Sequence, residues 1–156
     1  MNDTNTIDTP IGRLGVMLKG DKLCALSIGR DVQSADIDNM PLFRQLRAEM
    51  TDYFTKKQFC FSVPFDLHGT AFQKRVWQAL NKIPAGKTLT YGQLAEQLNS
   101  SPRAIGNACR ANPLPIIIPC HRVIAKQGLG GYDGQTDGER LDIKRWLLRH
   151  EGASID

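Results

Sequence analysis

Apolar and polar residues in the first third of the chain alternate as they do in β-strands. Two apolar runs, Leu14 to Leu18 and Leu23 to Ile28, are separated by a short turn that contains Gly20 and Asp21. This pattern predicts a β-hairpin, because glycine and aspartate favour the tight turns that connect paired strands. Residues 30–40 are polar and are predicted to form a loop.

The spacing of apolar residues then changes to that of a helix. The segment from Pro41 to about Thr55 carries apolar residues at helical intervals, namely Leu42, Leu46, Met50 and Tyr53. Phe59 to Phe65 alternates as one more strand would. A small sheet covered by one helix is therefore predicted for residues 1–68, with a domain boundary near residues 66–69.

Two helices with similar first turns are predicted after this boundary. Thr70 with Gln73, and Thr90 with Gln93, form the capping-box pattern, in which side chains satisfy backbone N–H groups at a helix start. The second helix is predicted from Tyr91 to Leu98. The first helix carries an apolar stripe that consists of Phe72, Val76, Leu80 and Ile83.

A third helix follows across a short polar turn. Ser101 is placed to cap it and Pro102 to occupy its first position, and two short helices joined in this way predict a helix-turn-helix. Arg103 and Arg110 supply charge, and the small residues are Ala104, Gly106, Ala108 and Ala111. Because small side chains allow close approach, this helix packs either against another helix or in a groove of DNA, with its arginines on phosphates or in the base stack.

Prolines frame the next segment. Pro113, Pro115 and Pro119 enclose three consecutive isoleucines, Ile116 to Ile118, which predict a short, buried, extended segment. Cys120 is expected directly beyond it, on a stiff backbone.

Cys120 has neighbours that bear on its reactivity. A thiol reacts as thiolate, and lowering the pKa of the thiol needs a nearby cation, base or helix N-terminus. His121 follows directly, but adjacent side chains of an extended segment point in opposite directions, so a water or a turn is needed between them. Glu151 either orients His121 in a nucleophile–base–orienter relay or is an ordinary exposed acid at the end of a helix that stops at Gly152. The stripe of that C-terminal helix is Ile143, Trp146, Leu147 and His150.

Composition agrees with a folded protein and locates the positive charge. The 156 residues are 41% hydrophobic and 23% charged, which excludes a disordered or fibrous chain. The net charge is +4, and residues 69–132 hold 8 basic residues against one acid, Glu96. This excess suits a nucleic acid or is a solvated basic face. No apolar run could cross a bilayer and no secretory signal is visible, so a cytoplasmic protein without a membrane partner is expected.

The cysteines argue against disulfides and structural metal. Cys24, Cys60, Cys109 and Cys120 include no C-x-x-C pair and have no zinc spacing with the three histidines. Reduced thiols and no metal site are expected.

The chain resembles the O6-alkylguanine-DNA alkyltransferase family. The motifs that carry the resemblance are Tyr91-Gly-Gln-Leu-Ala95, Arg103-Ala-Ile-Gly106, Asn112-Pro113, Pro119-Cys-His-Arg-Val123 and Trp146-Leu-Leu-Arg-His-Glu-Gly152, with weaker matches in Thr9-Pro-Ile-Gly12 and Gly69-Thr-Ala-Phe-Gln73. The resemblance implies single-turnover repair of duplex DNA, in which a thiolate takes the alkyl group from O6-alkylguanine or O4-alkylthymine after the base is flipped out. It implies no cofactor and no obligate protein partner, and we expect a monomer.

The resemblance also implies catalytic roles for matching residues. Cys120 is the acceptor, His121 activates it through water, and Glu151 holds His121. Tyr91 pushes the 3′ phosphate and protonates the leaving base, unless it is only half-buried core. Asn112 is the hinge between the recognition helix and the active-site strand, unless it only forms a turn.

Five further residues are expected at the DNA or at the flipped base. Arg103 takes the vacated place in the base stack, and Ala104 and Arg110 lie with it on the recognition helix. Val123 offers its carbonyl to the guanine amino group. Tyr132 walls the pocket or only packs its loop. Residues 133–145 are longer and more acidic than the usual family pattern, which bears on the pocket rim.

Two other classes compete with the repair hypothesis. Non-enzymatic proteins that bind alkylated DNA have tryptophan in place of the acceptor cysteine, whereas this chain has Cys120. A cysteine hydrolase built on Cys120 and His121 would need an oxyanion hole and would leave the basic surplus unexplained. We therefore predict an α/β (α+β) fold with a ribonuclease-H-like sheet and helix in residues 1–68. Residues 69–156 are predicted to carry the helix-turn-helix and the reaction.

Overall fold

The computed structural model describes residues 2–29, 32–56, 59–132 and 138–155. The chain divides into two compact units, Met1–Leu67 and His68–Asp156. None of the helices in the described ranges is long and apolar enough to cross a membrane.

The first unit is built on a three-stranded antiparallel sheet. Its strands are β1 (Asn2–Thr9), β2 (Gly12–Lys19) and β3 (Lys22–Ile28), in the spatial order β1-β2-β3. The predicted hairpin is confirmed as β2 and β3, with a register irregularity between Met17 and Leu18. The pattern of apolar residues does not predict most of β1, because this edge strand is polar apart from Ile7. Ile7 is buried.

One helix, α1 (Pro41–Thr55), packs against β1 as the periodicity predicts. Its buried face consists of Leu42, Phe43, Leu46, Glu49, Met50 and Tyr53. With the inward residues of β2 and β3 these side chains form the core of the unit.

The strand predicted at Phe59–Phe65 is wrong. In the described residues 59–65 there is only an isolated parallel bridge between Leu23 and Phe65. The buried Glu49 carboxylate accepts the backbone N–H of Ser62 at 2.7 Å and that of Val63 at 3.2 Å, so these groups are not available for a strand ladder. A glutamate from a distant helix therefore overrides the local alternation.

The second unit is mainly helical. Its elements are α2 (Ala71–Leu80), β4 (Leu89–Thr90), α3 (Tyr91–Gln97), α4 (Pro102–Arg110), a 3₁₀ turn (Cys120–Arg122), β5 (Val123–Ile124) and α5 (Glu139–His150). Both predicted capping boxes are present, and the Ser101 hydroxyl caps α4 by accepting from the Ala104 N–H. Helices α3 and α4 pack together as the predicted helix-turn-helix, while α2 stops at Leu80 and leaves Ile83 buried in the following turn.

The isoleucine run is buried as predicted but is not extended. Ile116 has a φ of +78°, and the Ile118 N–H donates to the Leu114 carbonyl at 2.8 Å, which closes a turn. The prediction of an extended segment is therefore wrong. Cys120 lies at the start of the 3₁₀ turn rather than beyond a strand. On α5, Trp146 is exposed and stacks on His150, so the buried face runs instead through Ile143, Lys144, Leu147 and Leu148.

Candidate active site

The 3₁₀ turn places three consecutive polar or reactive side chains in the interior. Cys120, His121 and Arg122 have relative exposures of 7%, 0% and 8%. The turn is closed by the Arg122 N–H on the Pro119 carbonyl at 3.0 Å. Its curvature supplies the turn at residues 120–121 that sequence reasoning required between the thiol and the imidazole.

The Glu151 carboxylate, 2% exposed at the end of α5, is the polar centre of the site. One of its oxygens, Oε2, lies 2.9 Å from His121 Nε2. Arg122 binds the same carboxylate with two nitrogens, Nε on Oε1 and Nη2 on Oε2, both at 2.9 Å. Burial alone would raise the pKa of Glu151, but the hydrogen bonds and charges of His121 and Arg122 hold it well below its usual range.

This contact fixes the chemistry of His121. An ionised carboxylate can only accept, so Nε2 carries the hydrogen and Nδ1 carries the lone pair of the neutral ring. Nδ1 is buried and has no hydrogen-bond partner among the described residues. Burial lowers the pKa of His121, and the charges of Arg122 and Lys144 lower it further. The hydrogen bond and charge of Glu151 act in the opposite direction, but the pKa remains below its usual value. The ring is therefore a neutral base at pH 7.

Lys144 is a buried cation that sequence reasoning missed. Its side chain on α5 is fully buried, and Nζ donates to the carbonyls of Val123 at 2.7 Å, Leu129 at 2.6 Å and Gly131 at 2.9 Å. Three donated hydrogen bonds require the ammonium form. Lys144 thus ties the segment from Val123 to Gly131 to α5. Its position between Ile143 and Leu147, on the apolar stripe, is the signal that could have revealed it.

Tyr91 lies against this same segment. Its hydroxyl donates to the Gly131 carbonyl at 3.4 Å, and its ring centroid is 5.7 Å from Lys144 Nζ. A Cβ atom on Gly130, which has a φ of +75°, would lie 2.9 Å from Tyr91 Cε2, so glycine is required there. Burial raises the pKa of Tyr91, which keeps the phenol protonated. Tyr132, which follows Gly131 in the chain, is buried, and residues 133–137 of the acidic loop lie outside the described residues.

Asn112 connects α4 to the segment that carries Cys120. Its Nδ2 donates to the Ile118 carbonyl at 2.8 Å and its Oδ1 accepts from the Leu114 N–H at 2.9 Å. The side chain therefore stabilises the turn that follows α4, and its bond to Ile118 holds the backbone two residues before Cys120.

The three α4 residues expected at the DNA are not among these buried side chains. Arg103 and Arg110 are exposed on α4, Ala104 is half-buried, and a Cβ atom on Gly106 would meet no described atom within 4 Å. The helix is held from its other side, where Trp77 Nε1 donates to the Ala108 carbonyl at 2.9 Å. Gly106 is thus not explained by packing within the described chain.

In the described part of the chain, the other thiols are not grouped with potential metal ligands. Within the described residues, no group of three histidine, cysteine, aspartate or glutamate side chains is arranged to hold a metal ion. Cys109 lies on α4, and burial raises its pKa, which makes it a weak nucleophile.

A buried thiol with an imidazole–carboxylate pair, next to a helix-turn-helix, defines a protein with nucleophilic cysteine chemistry on a DNA-binding scaffold. Residues 71–153 match the family model for the 6-O-methylguanine DNA methyltransferase DNA-binding domain, and residues 4–67 match the model for its ribonuclease-like domain. The chain belongs to the O6-methylguanine-DNA methyltransferase family.

Relatives match along nearly the whole chain. The constitutive methylated-DNA–protein-cysteine methyltransferase of Bacillus subtilis is 34% identical, over 99% of this chain and 98% of its own. That of Methanosarcina acetivorans is 38% identical, over 94% and 96%. The crystal structure of Mycobacterium tuberculosis O6-methylguanine methyltransferase has a TM-score of 0.84 and 36% identity, covering 100% and 97%. The same organism's OGT in complex with DNA has a TM-score of 0.82 and 38% identity, covering 96% and 92%. These likenesses confirm the predicted α/β fold class.

Proposed function

We propose that this protein repairs alkylated duplex DNA by moving the alkyl group of O6-alkylguanine, and of O4-alkylthymine, onto Sγ of Cys120. The observation that carries the proposal is the 2.9 Å contact between Glu151 and His121, which directly follows Cys120 in the 3₁₀ turn. We assign the reaction and the DNA contacts to residues 69–156, without a cofactor or metal.

The proton path follows from the tautomer of His121. The lone pair on Nδ1 takes the Cys120 proton through a water, and Glu151 stabilises the imidazolium that forms. The thiolate then attacks the alkyl carbon, a C–S bond forms, and the C–O bond breaks with its electron pair going to the guanine oxygen. The phenol of Tyr91, which its raised pKa keeps protonated, gives its proton to the departing base at N3. The phenolate recovers a proton from the imidazolium through water.

The base pocket is assigned to the segment tied by Lys144. The Val123 carbonyl accepts from Lys144 at 2.7 Å. Because a carbonyl oxygen has two lone pairs, we assign the second to the guanine amino group. Tyr132 and the glycines before it form the facing wall. Because the thioether product is stable, each molecule acts once.

DNA binding is assigned to the exposed face of α4. Small residues and the open space at Gly106 let the helix approach the floor of a minor groove, while Arg110 contacts phosphate. Arg103 enters the base stack when the damaged nucleotide is flipped out, which costs a few kcal/mol. The M. tuberculosis relative solved in complex with DNA supports this partner.

A stoichiometric repair assay tests the proposal. Duplex DNA that contains O6-methylguanine is mixed with limiting protein, and the remaining lesion is counted after DNA digestion. We expect one lesion removed per molecule, none with Cys120→Ser, and unchanged stoichiometry with the matched control Cys24→Ser. Binding without lesion loss would indicate a damage sensor, and continued turnover would indicate a hydrolase.

A further inference from the structure

Arg122 neutralises the carboxylate that His121 contacts. Glu151 is 2% exposed and accepts from Arg122 through both oxygens, at 2.9 Å each, while its Oε2 also accepts from His121. A further guanidinium nitrogen, Nη1, donates to the Ile83 carbonyl at 2.5 Å, which fixes the plane of the group. The carboxylate charge is therefore shared between a permanent cation and a titratable ring.

The charge balance around His121 depends on this sharing. The charged groups that act on the ring are Glu151 and Lys144 from α5 and Arg122 from its own turn. A buried carboxylate facing only His121 would favour a protonated, positively charged ring. With Arg122 in place the carboxylate is already compensated, and a second buried cation beside it is disfavoured.

We propose that Arg122 is a positioning residue that keeps His121 neutral, with its lone pair on Nδ1, by compensating the charge of Glu151. The inference rests on the proposed function, in which that lone pair takes the Cys120 proton. In this role Arg122 acts through Glu151, whose carboxylate it shares with His121.

The pH dependence of single-turnover methyl transfer separates this role from a purely structural one. We compare the unsubstituted protein with Arg122→Met, Arg122→Lys and Glu151→Gln, using Arg145→Met as a control because Arg145 forms a surface pair with Asp142. Removing the Arg122 charge moves the acid limb of the profile to higher pH, and removing the Glu151 charge moves it to lower pH. Arg122→Lys and Arg145→Met leave the limb within about half a pH unit.

The expected change is large because one pH unit on this limb is a tenfold change in rate. At about pH 6.5, Arg122→Met is at least tenfold slower than the unsubstituted protein, and most of that loss is recovered by about pH 9. An equal loss of rate at every pH would overturn the proposal, as would shifts of the same sign in Arg122→Met and Glu151→Gln.

A titration of His121 tests the proposal without using the repair reaction. In a Cys120→Ser background, the His121 ring is followed by NMR with and without Arg122→Met, after circular dichroism shows that both chains fold. We expect the ring to titrate at higher pH without Arg122, and unchanged titration would overturn the proposal. If Arg122→Met does not fold, Arg122→Lys and Glu151→Gln replace it in the titration. The proposal predicts that the His121 ring of Arg122→Lys titrates at an unchanged pH and that the ring of Glu151→Gln titrates at a lower pH. A protein that fails to transfer methyl groups but shows these shifts would refute the proposed function alone.

Discussion

Replacing Lys144 with methionine removes a buried charge and nearly keeps the length of the side chain. The Lys144 ammonium is fully buried and donates to three carbonyls at 2.6 to 2.9 Å. Methionine leaves these carbonyls without that donor, at about 1–3 kcal/mol for each buried group. The same change removes the desolvation cost of the charge, which acts in the opposite direction.

The pKa of Lys144 sets the size of that desolvation cost. Burial lowers the pKa from 10.5 to about 8, a shift that corresponds to about 3 kcal/mol against the charged form. Between these two values the unfolded chain holds the proton that the folded chain has lost, so stability rises with pH. The full cost is present below about pH 8 and has gone above about pH 10.5. At about pH 7 we expect the lost hydrogen bonds to outweigh the gain, with a net loss of about 3 kcal/mol for Lys144→Met.

Urea unfolding at several pH values measures both effects. The difference in unfolding free energy between the unsubstituted protein and Lys144→Met grows by about 1 kcal/mol from about pH 7 to 9, and by about 2–3 kcal/mol by about pH 10. Lys126→Met is the matched control, because Lys126 is exposed and lies in the same segment. A difference that does not change with pH would refute the conclusion that Lys144 is a desolvated cation.

Three further substitutions test other parts of the account. Gly130→Ala lowers the unfolding free energy by about 1–3 kcal/mol more than Gly128→Ala in urea titrations, because both have positive φ but only the Cβ atom at position 130 would meet a ring. Equal losses would contradict the crowding against Tyr91. Glu49→Gln costs about 1–3 kcal/mol at neutral pH. Burial would raise the pKa of Glu49, but its hydrogen bonds outweigh burial and lower that pKa. The stabilisation by Glu49 is therefore lost as the pH falls through the lowered value. Acid unfolding of Glu49→Gln that matches the unsubstituted protein would exclude this contribution. Arg110→Ala weakens binding to lesion DNA and reduces the salt slope by about 1, measured by fluorescence anisotropy; an unchanged slope and affinity would remove Arg110 from the interface.

Local chemistry explains which elements could be predicted. Each capping box joins residues three positions apart, and both are present as Thr70–Gln73 and Thr90–Gln93. The helix-turn-helix and α1 follow from similarly short-range patterns.

The errors come from contacts between residues far apart in sequence. Glu49 takes the N–H groups of Ser62 and Val63 and prevents a strand, although the local alternation favours one. The positive φ of Ile116 turns a run that otherwise suits extended backbone.

The same distinction applies to the candidate site. The contact of His121 with Glu151 could be proposed because both residues lie in motifs, whereas the motif gives no sign that Arg122 shares the carboxylate. The burial of Lys144 was not predicted, because the flexible side chain of a lysine on an apolar stripe usually carries its ammonium group to solvent. Only the carbonyls collected by the fold around it explain its burial.

The mass of the intact protein after reaction with duplex DNA containing O6-methylguanine tests the central claim most directly. We predict that each molecule gains one methyl group, that peptide mapping locates it on Cys120, and that Cys120→Ser gains none. An unchanged mass, or a methyl group on Cys109 or any other residue, would contradict the account.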